Sequence, residues 1–218
     1  MYPVIQSSFP AFSTKFEGRV PHMYLDVLGL VTVGVGNLID PVETAVTLPF
    51  QFKNNPGSAA TKDQITQEWQ TLKNNTSLAT KGYKACAAIT QLELSDDAIN
   101  SLILSRLTQN ESFLKRQQWF QSFDTWPADA QLALLSMAWA MGPGGPGGFP
   151  HFRAACQSLD FATAAAQCKM NEAGNPGLVP RNQANFTLFS NAAIVIGGGA
   201  FQRSTLYYPR VLTAADVT

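Results

Sequence analysis

Residues 17–36 read Glu17-Gly18-Arg19-Val20-Pro21-His22-Met23-Tyr24-Leu25-Asp26-Val27-Leu28-Gly29-Leu30-Val31-Thr32-Val33-Gly34-Val35-Gly36. Just upstream, Phe9, Phe12 and Phe16 recur at helical spacing. That pattern predicts a short amphipathic helix over residues 5–17, ended by the glycine that follows Glu17. From Met23 to Leu38 the pattern changes to alternation broken by Gly29, Gly34 and Gly36, which predicts a β-hairpin turning near Val27 to Gly29. A helix therefore runs directly into a hairpin, with Glu17 at the junction.

Further along, residues 40–60 are rich in Pro, Asn and Gly and read as a loop. Thr61 to Asn74 carries Ile65, Trp69 and Leu72 on one helical face. Ser95-Asp96-Asp97 opens a helix expected to reach about Leu107, because a serine oxygen caps the first free amides and acidic residues suit the helix dipole. Between Pro127 and Met141 nearly every residue is apolar or small, as in a helix buried all round. Gly142 to Gly148 then breaks the chain, and further helices are expected at about 150–158, 160–171 and 180–193. One small β-element on a mostly helical chain is an α+β arrangement.

Composition narrows the function classes. The chain has 218 residues, 45% of them hydrophobic and 14% charged, enough for one sizeable core or two small lobes. Its 15 basic residues cancel 15 acidic ones, so no global positive field concentrates nucleic acid or anionic lipid. No nucleic-acid partner and no membrane insertion are expected. The longest apolar run, Ala192 to Phe201, is short and broken by glycine. No basic and then apolar leader precedes Pro10, so no export signal is visible. Cys86, Cys156 and Cys168 lack metal-ligand spacing and read as buried thiols, with a Cys156–Cys168 bridge left open for an exported protein.

Two carboxylates, Glu17 and Asp26, flank the helix-to-hairpin junction. Glycoside hydrolysis needs such a pair, one acid to protonate the leaving oxygen and one ionised group to hold water or stabilise positive charge at the sugar. The residues alone leave a plainer alternative open, in which Glu17 forms a salt bridge and Asp26 is an ordinary turn residue.

The segment quoted above resembles the active-site segment of the phage-type lysozymes, glycoside hydrolase family 24. Glu17, eight residues, Asp26, five residues and Thr32 reproduce the family spacing, as do Tyr24 two residues before the aspartate and the Thr32-x-Gly34-x-Gly36 strand. Two downstream stretches extend the likeness in the same order: Leu135 to Gly142 followed by Gly148-Phe149, and Pro176-Gly177-Leu178-Val179-Pro180-Arg181-Asn182-Gln183-Ala184. The resemblance implies an α+β, lysozyme-like domain over residues 1–218. In it, residues 18–94 form a small hairpin-containing lobe and residues 95–218 a larger helical lobe around a central buried helix, with the helix over 5–17 packed on the larger lobe and a cleft between the two. It also implies a muramidase, cleaving the β-1,4 bond between N-acetylmuramic acid and N-acetylglucosamine. Glu17 would be the general acid, Asp26 and Thr32 would hold water, and Tyr24, Gly34, Met141, Gly142 and Arg181 would contact the glycan. No metal and no organic cofactor are expected. A lytic transglycosylase on the same fold and a non-catalytic wall-binding module are the alternatives.

The sequence departs from the family in three places. Asn37 stands where many relatives have histidine, Ala140 replaces a polar residue that contacts sugar in some relatives, and the interval from Leu38 to Leu94 is longer, with an inserted segment at about 40–90. Arg181 is expected near Glu17, or else is an ordinary surface arginine. His22 reads as a solvated loop residue rather than a tuner of the carboxylates, and Trp69, Trp119, Trp126 and Trp139 read as packing rather than sugar platforms. The expected partners are peptidoglycan glycan strands, met by a monomer in the periplasm or on the cell wall. Delivery as a phage endolysin or as an injected antibacterial effector both fit, and the effector case implies a cognate immunity protein.

Overall fold

The computed structural model describes residues 1–198 and 200–217. They form an α+β protein of two compact units, one comprising residues 1–16 and 105–218 and the other residues 17–104. The boundaries fall inside two helices, α1 (Pro3–Glu17) and α5 (Asp96–Lys115).

Local chemistry sets the ends of these helices. In α1, Phe12 meets Phe9 at 6.2 Å and Phe16 at 5.1 Å between ring centroids, and Gly18 adopts a positive φ of 75° just beyond the last turn. Ser95 Oγ accepts from Ala98 N at 3.2 Å to cap α5. This helix runs eight residues past the expected Leu107, to Lys115. Its apolar pattern fades there, but no glycine or proline intervenes before Pro127 to stop it.

In unit 17–104 the quoted segment forms β1 (Val20–Leu25) and β2 (Val31–Gly34), joined by β3 (Asn37–Leu38) into an antiparallel sheet ordered β1-β2-β3. Residues 40–60, expected as loop, are more ordered than that. They contain α2 (Val42–Ala45), β4 (Gln51–Phe52) and β5 (Asn55–Ala59), and with β6 (Leu92–Glu93) the strands make a second antiparallel sheet ordered β5-β4-β6. Pro56 and Gly57 disguised β5, which lies at an edge where a missing N–H costs no ladder bond. Between the strands stand α3 (Lys62–Asn74), opened by a capping box of Thr61 and Gln64, and α4 (Tyr83–Ala87). Both helices pack on β1. Leu94 N donates to Pro21 O at 2.8 Å, so the end of the insertion is sewn back onto the first strand.

The other unit is helical: α6 (Ala128–Met141), α7 (Pro150–Gln157), α8 (Phe161–Gln167) and α9 (Leu178–Gly197) join α1 and the end of α5. Every residue of α6 from Ala128 to Trp139 is buried, as its composition predicts. Asp129 is its one charged residue. Its carboxylate accepts from Asn191 Nδ2 at 2.9 Å, Tyr207 N at 2.9 Å and Tyr208 N at 3.0 Å, tying the chain after α9 to the helical core. Burial pushes this carboxyl above its ordinary range, against the opposing pull of those hydrogen bonds.

Trp126 and Trp139 are core, whereas Trp69 and Trp119 are half-buried. Trp69 donates from Nε1 to Ile39 O at 3.0 Å, and Arg153 lies 4.4 Å over the Trp119 ring. Cys86, Cys156 and Cys168 are all free, buried thiols. Burial pushes Cys168 up to about 12 and Cys156 well above a normal thiol, which leaves both in the unreactive protonated form. Among the described residues no helix is long and apolar enough to cross a membrane.

Candidate functional site

Glu17 is the last residue of α1, and its side chain is exposed. The chain returns to it nineteen residues later: a Cβ placed on Gly36 would lie 3.6 Å from Glu17 Oε2. The bend over residues 34–36 holds both glycines at positive φ, 69° for Gly34 and 67° for Gly36, where a side chain brings strain. A Cβ on Gly34 would also sit 3.2 Å from Asn37 Oδ1 and 3.4 Å from Ile99 Cγ2. Asn37 is buried and accepts from Val35 N at 3.3 Å, so it closes the bend that lies against Glu17.

Asp26 follows β1 and starts the hairpin turn. Its Oδ1 accepts from Leu28 N and Leu30 N, both at 2.9 Å, while its own carbonyl accepts from Gly29 N at 2.9 Å. Two amides on one oxygen fix the plane of the carboxylate, and among the described residues Oδ2 accepts no hydrogen bond. Asp26 is thus a turn residue by construction, with its second oxygen left to bind water. Because Asn offers the same Oδ1 acceptor, Asp26→Asn should leave the denaturant midpoint almost unchanged. Asp26→Ala strips two amides of their acceptor and should cost about 1–2 kcal/mol. Equal midpoints for the two variants would show that the turn does not depend on this oxygen.

Thr32 pairs with Tyr24 across the two strands, which sets their side chains on one face of the sheet. Asp26 lies two residues beyond Tyr24, and this is why the Tyr-x-Asp spacing brings three polar groups to one side. Thr32 is buried, and its Oγ1 donates to Leu30 O at 3.3 Å. Tyr24 connects the set electrostatically. Its phenol is pushed up to about 12, first by burial and then by the negative charges of Glu17 and Asp26. The structure therefore gathers Glu17, Tyr24, Asp26, Thr32 and Gly34 within one unit. A raised phenol pKa favours the folded state below pH ~10, the ordinary tyrosine value, and that contribution is lost as pH rises through about 12. In tyrosine-labelled NMR titrations, Tyr24 should ionise well above an ordinary phenol, and Glu17→Gln should lower its midpoint. No change in that variant would place the two groups too far apart to interact.

The insertion holds this hairpin from behind. Lys73 of α3 pairs through Nζ with Asp40 Oδ2 and donates to Gly29 O at 2.9 Å, and Asp40 Oδ2 also accepts from Val31 N at 3.2 Å. His22 is not a solvated loop residue. It lies on β1, is 8% exposed, and its Nε2 bonds Tyr83 O at 2.9 Å. A carbonyl only accepts, so Nε2 carries the proton in the neutral ring. Burial lowers the His22 pKa, ahead of the opposing effect of the Tyr83 carbonyl. Insertion residues that cover β1 enclose this histidine, which sequence order alone did not reveal. Asp40, Lys73 and Tyr83 escaped sequence analysis for the same reason: each belongs to the insertion and meets the hairpin only through the fold.

Met141, Gly142 and Arg181 belong to the helical unit. Met141 ends α6 half-buried, and Gly142 after it has φ 78° and ψ 158°, a combination essentially restricted to glycine. The surface alternative for Arg181 is overturned, since it is 1% exposed. Its Nη1 donates to Ser136 O at 3.2 Å, and its guanidinium carbon lies 4.8 Å over the Phe16 ring. Among the described residues no three His, Cys, Asp or Glu side chains cluster as a metal site would require. No protein-family model and no curated protein matches this sequence.

Proposed function

We propose that the chain is a lysozyme-like muramidase that hydrolyses the β-1,4 bond between N-acetylmuramic acid and N-acetylglucosamine. The observation that carries this reading is the convergence of Glu17, Asp26 and Thr32 around Tyr24, with Glu17 exposed and Asp26 held by one oxygen. It joins the spacing of the same residues in the sequence. Glu17 gives its proton to the glycosidic oxygen as the C1–O bond breaks. Water held by Asp26 and Thr32 bonds to C1 and releases a proton to Asp26. The products are a reducing N-acetylmuramic acid and a free 4-hydroxyl on N-acetylglucosamine, with inversion at C1 when the water attacks from the opposite face. Tyr24, in the same unit as Glu17, Asp26 and Thr32, is the proposed glycan contact.

Acting alone as a monomer, the enzyme would meet its substrate in the periplasm or on the wall, delivered as an endolysin or as an injected effector neutralised in the producer by an immunity protein. The test is loss of turbidity of purified peptidoglycan followed by mass analysis. Fragments carrying one added water are expected. Fragments ending in a 1,6-anhydro sugar would instead make this a lytic transglycosylase, and intact strands would make it a binding module.

A further inference from the structure

The insertion adds an aromatic ring to the site. Tyr83 begins α4 and as a residue is 46% exposed, although its main chain is firmly held: its carbonyl receives the buried His22 Nε2 at 2.9 Å, and Cys86, one turn on, is buried. The ring meets Tyr24 edge-on, with centroids 6.4 Å apart and planes at 68°. Tyr24 in turn lies in the field of Glu17 and Asp26. A large aromatic residue is thus fixed at its root, exposed to solvent, and one ring away from the proposed reacting groups.

We propose that Tyr83 is a substrate-binding residue, holding a pyranose ring of the glycan against its exposed face; this rests on the muramidase reading above. Pyranose rings present a face of C–H groups that water solvates poorly, and an aromatic ring covers that face while its hydroxyl stays wet. Tyrosine supplies such area at low entropic cost because only two side-chain torsions must be fixed. The anchored backbone makes the ring a ready platform, with little ordering left for binding to impose. The insertion therefore contributes to substrate grip as well as to support of the hairpin.

The test uses the full chain and soluble, uncrosslinked glycan oligosaccharides released from peptidoglycan. Tyr83→Ala should raise KM about tenfold, the loss typical of one well-placed aromatic contact, and change kcat less than about threefold. Tyr83→Phe, which keeps the ring, should restore KM to within about threefold of the parent. Calorimetric binding of the same oligosaccharides in a Glu17→Gln background should show the same loss for Tyr83→Ala, and thermal midpoints confirm that the variants fold. A parent that cleaves glycan while Tyr83→Ala keeps its KM overturns this inference alone. So does a fall in kcat at constant KM, which would make Tyr83 only a support for Tyr24. A parent that neither cleaves nor binds the oligosaccharides overturns the muramidase reading, and this inference with it.

Discussion

Glu17→Gln is expected to stop peptidoglycan lysis while leaving the far-UV circular dichroism unchanged. The side chain is exposed at the end of α1, and the helix is held by Phe9, Phe12 and Phe16 on its apolar side, so an amide of the same shape disturbs no packing. What disappears is the proton. Positioned general acids contribute roughly 10²–10⁴-fold to such reactions, and a glutamine cannot give a proton to a leaving oxygen. Glutamine also keeps the close approach to Gly36, where a carboxamide fits the space of the carboxylate. Turbidity assays on the purified variant decide the matter: retention of more than about a tenth of parental activity would remove Glu17 from its role.

The largest expected effect on stability lies elsewhere, at Asp129. Its carboxylate accepts from two backbone amides and the Asn191 side chain, all buried or partly buried. Asp129→Ala leaves two backbone amides and one of the two Asn191 side-chain N–H hydrogens without an acceptor, and each orphaned amide costs about 1–3 kcal/mol. Relief of a buried charge offsets part of that sum, so a net loss of about 3 kcal/mol or more is expected. In a domain of this size it corresponds to a fall of about 10 °C in the unfolding midpoint. The damage should begin in the segment after α9, because Asn191 also binds Arg210 O at 2.8 Å and Leu212 N at 2.8 Å. Hydrogen exchange should therefore rise first at Tyr207, Tyr208 and Leu212. A midpoint within about 2 °C of the parent would mean that the carboxylate is no keystone.

Elements longer than about ten residues were readable from the sequence because their side chains carry the period of the structure they form. The Phe9, Phe12, Phe16 stripe marked α1, a run of mostly apolar and small residues marked α6, and the Ser95 cap marked the start of α5. The hairpin was readable for another reason: glycines at 29, 34 and 36 serve turns that other residues enter only with strain. The second sheet escaped notice because β4 and β6, of two residues each, hold too little pattern to recognise and Pro56 and Gly57 disguise β5, and the end of α5 because a helix stops where packing stops when no breaker intervenes.

The candidate site divides in the same way. By itself the sequence determined which acids and hydroxyls belong together, because Glu17, Tyr24, Asp26 and Thr32 lie within sixteen residues and a single hairpin carries most of them to one face. The tertiary structure alone decided what surrounds them. Burial of His22, the Lys73 and Asp40 clamp on the turn, and the Tyr83 ring against Tyr24 all depend on residues from the insertion folding back over β1. The same holds for Arg181 and Asp129, whose polar side chains lie in interiors that neighbouring helices build. Local spacing is written into the chain by backbone geometry. Which distant residues share a desolvated environment is fixed only when apolar surfaces close over them.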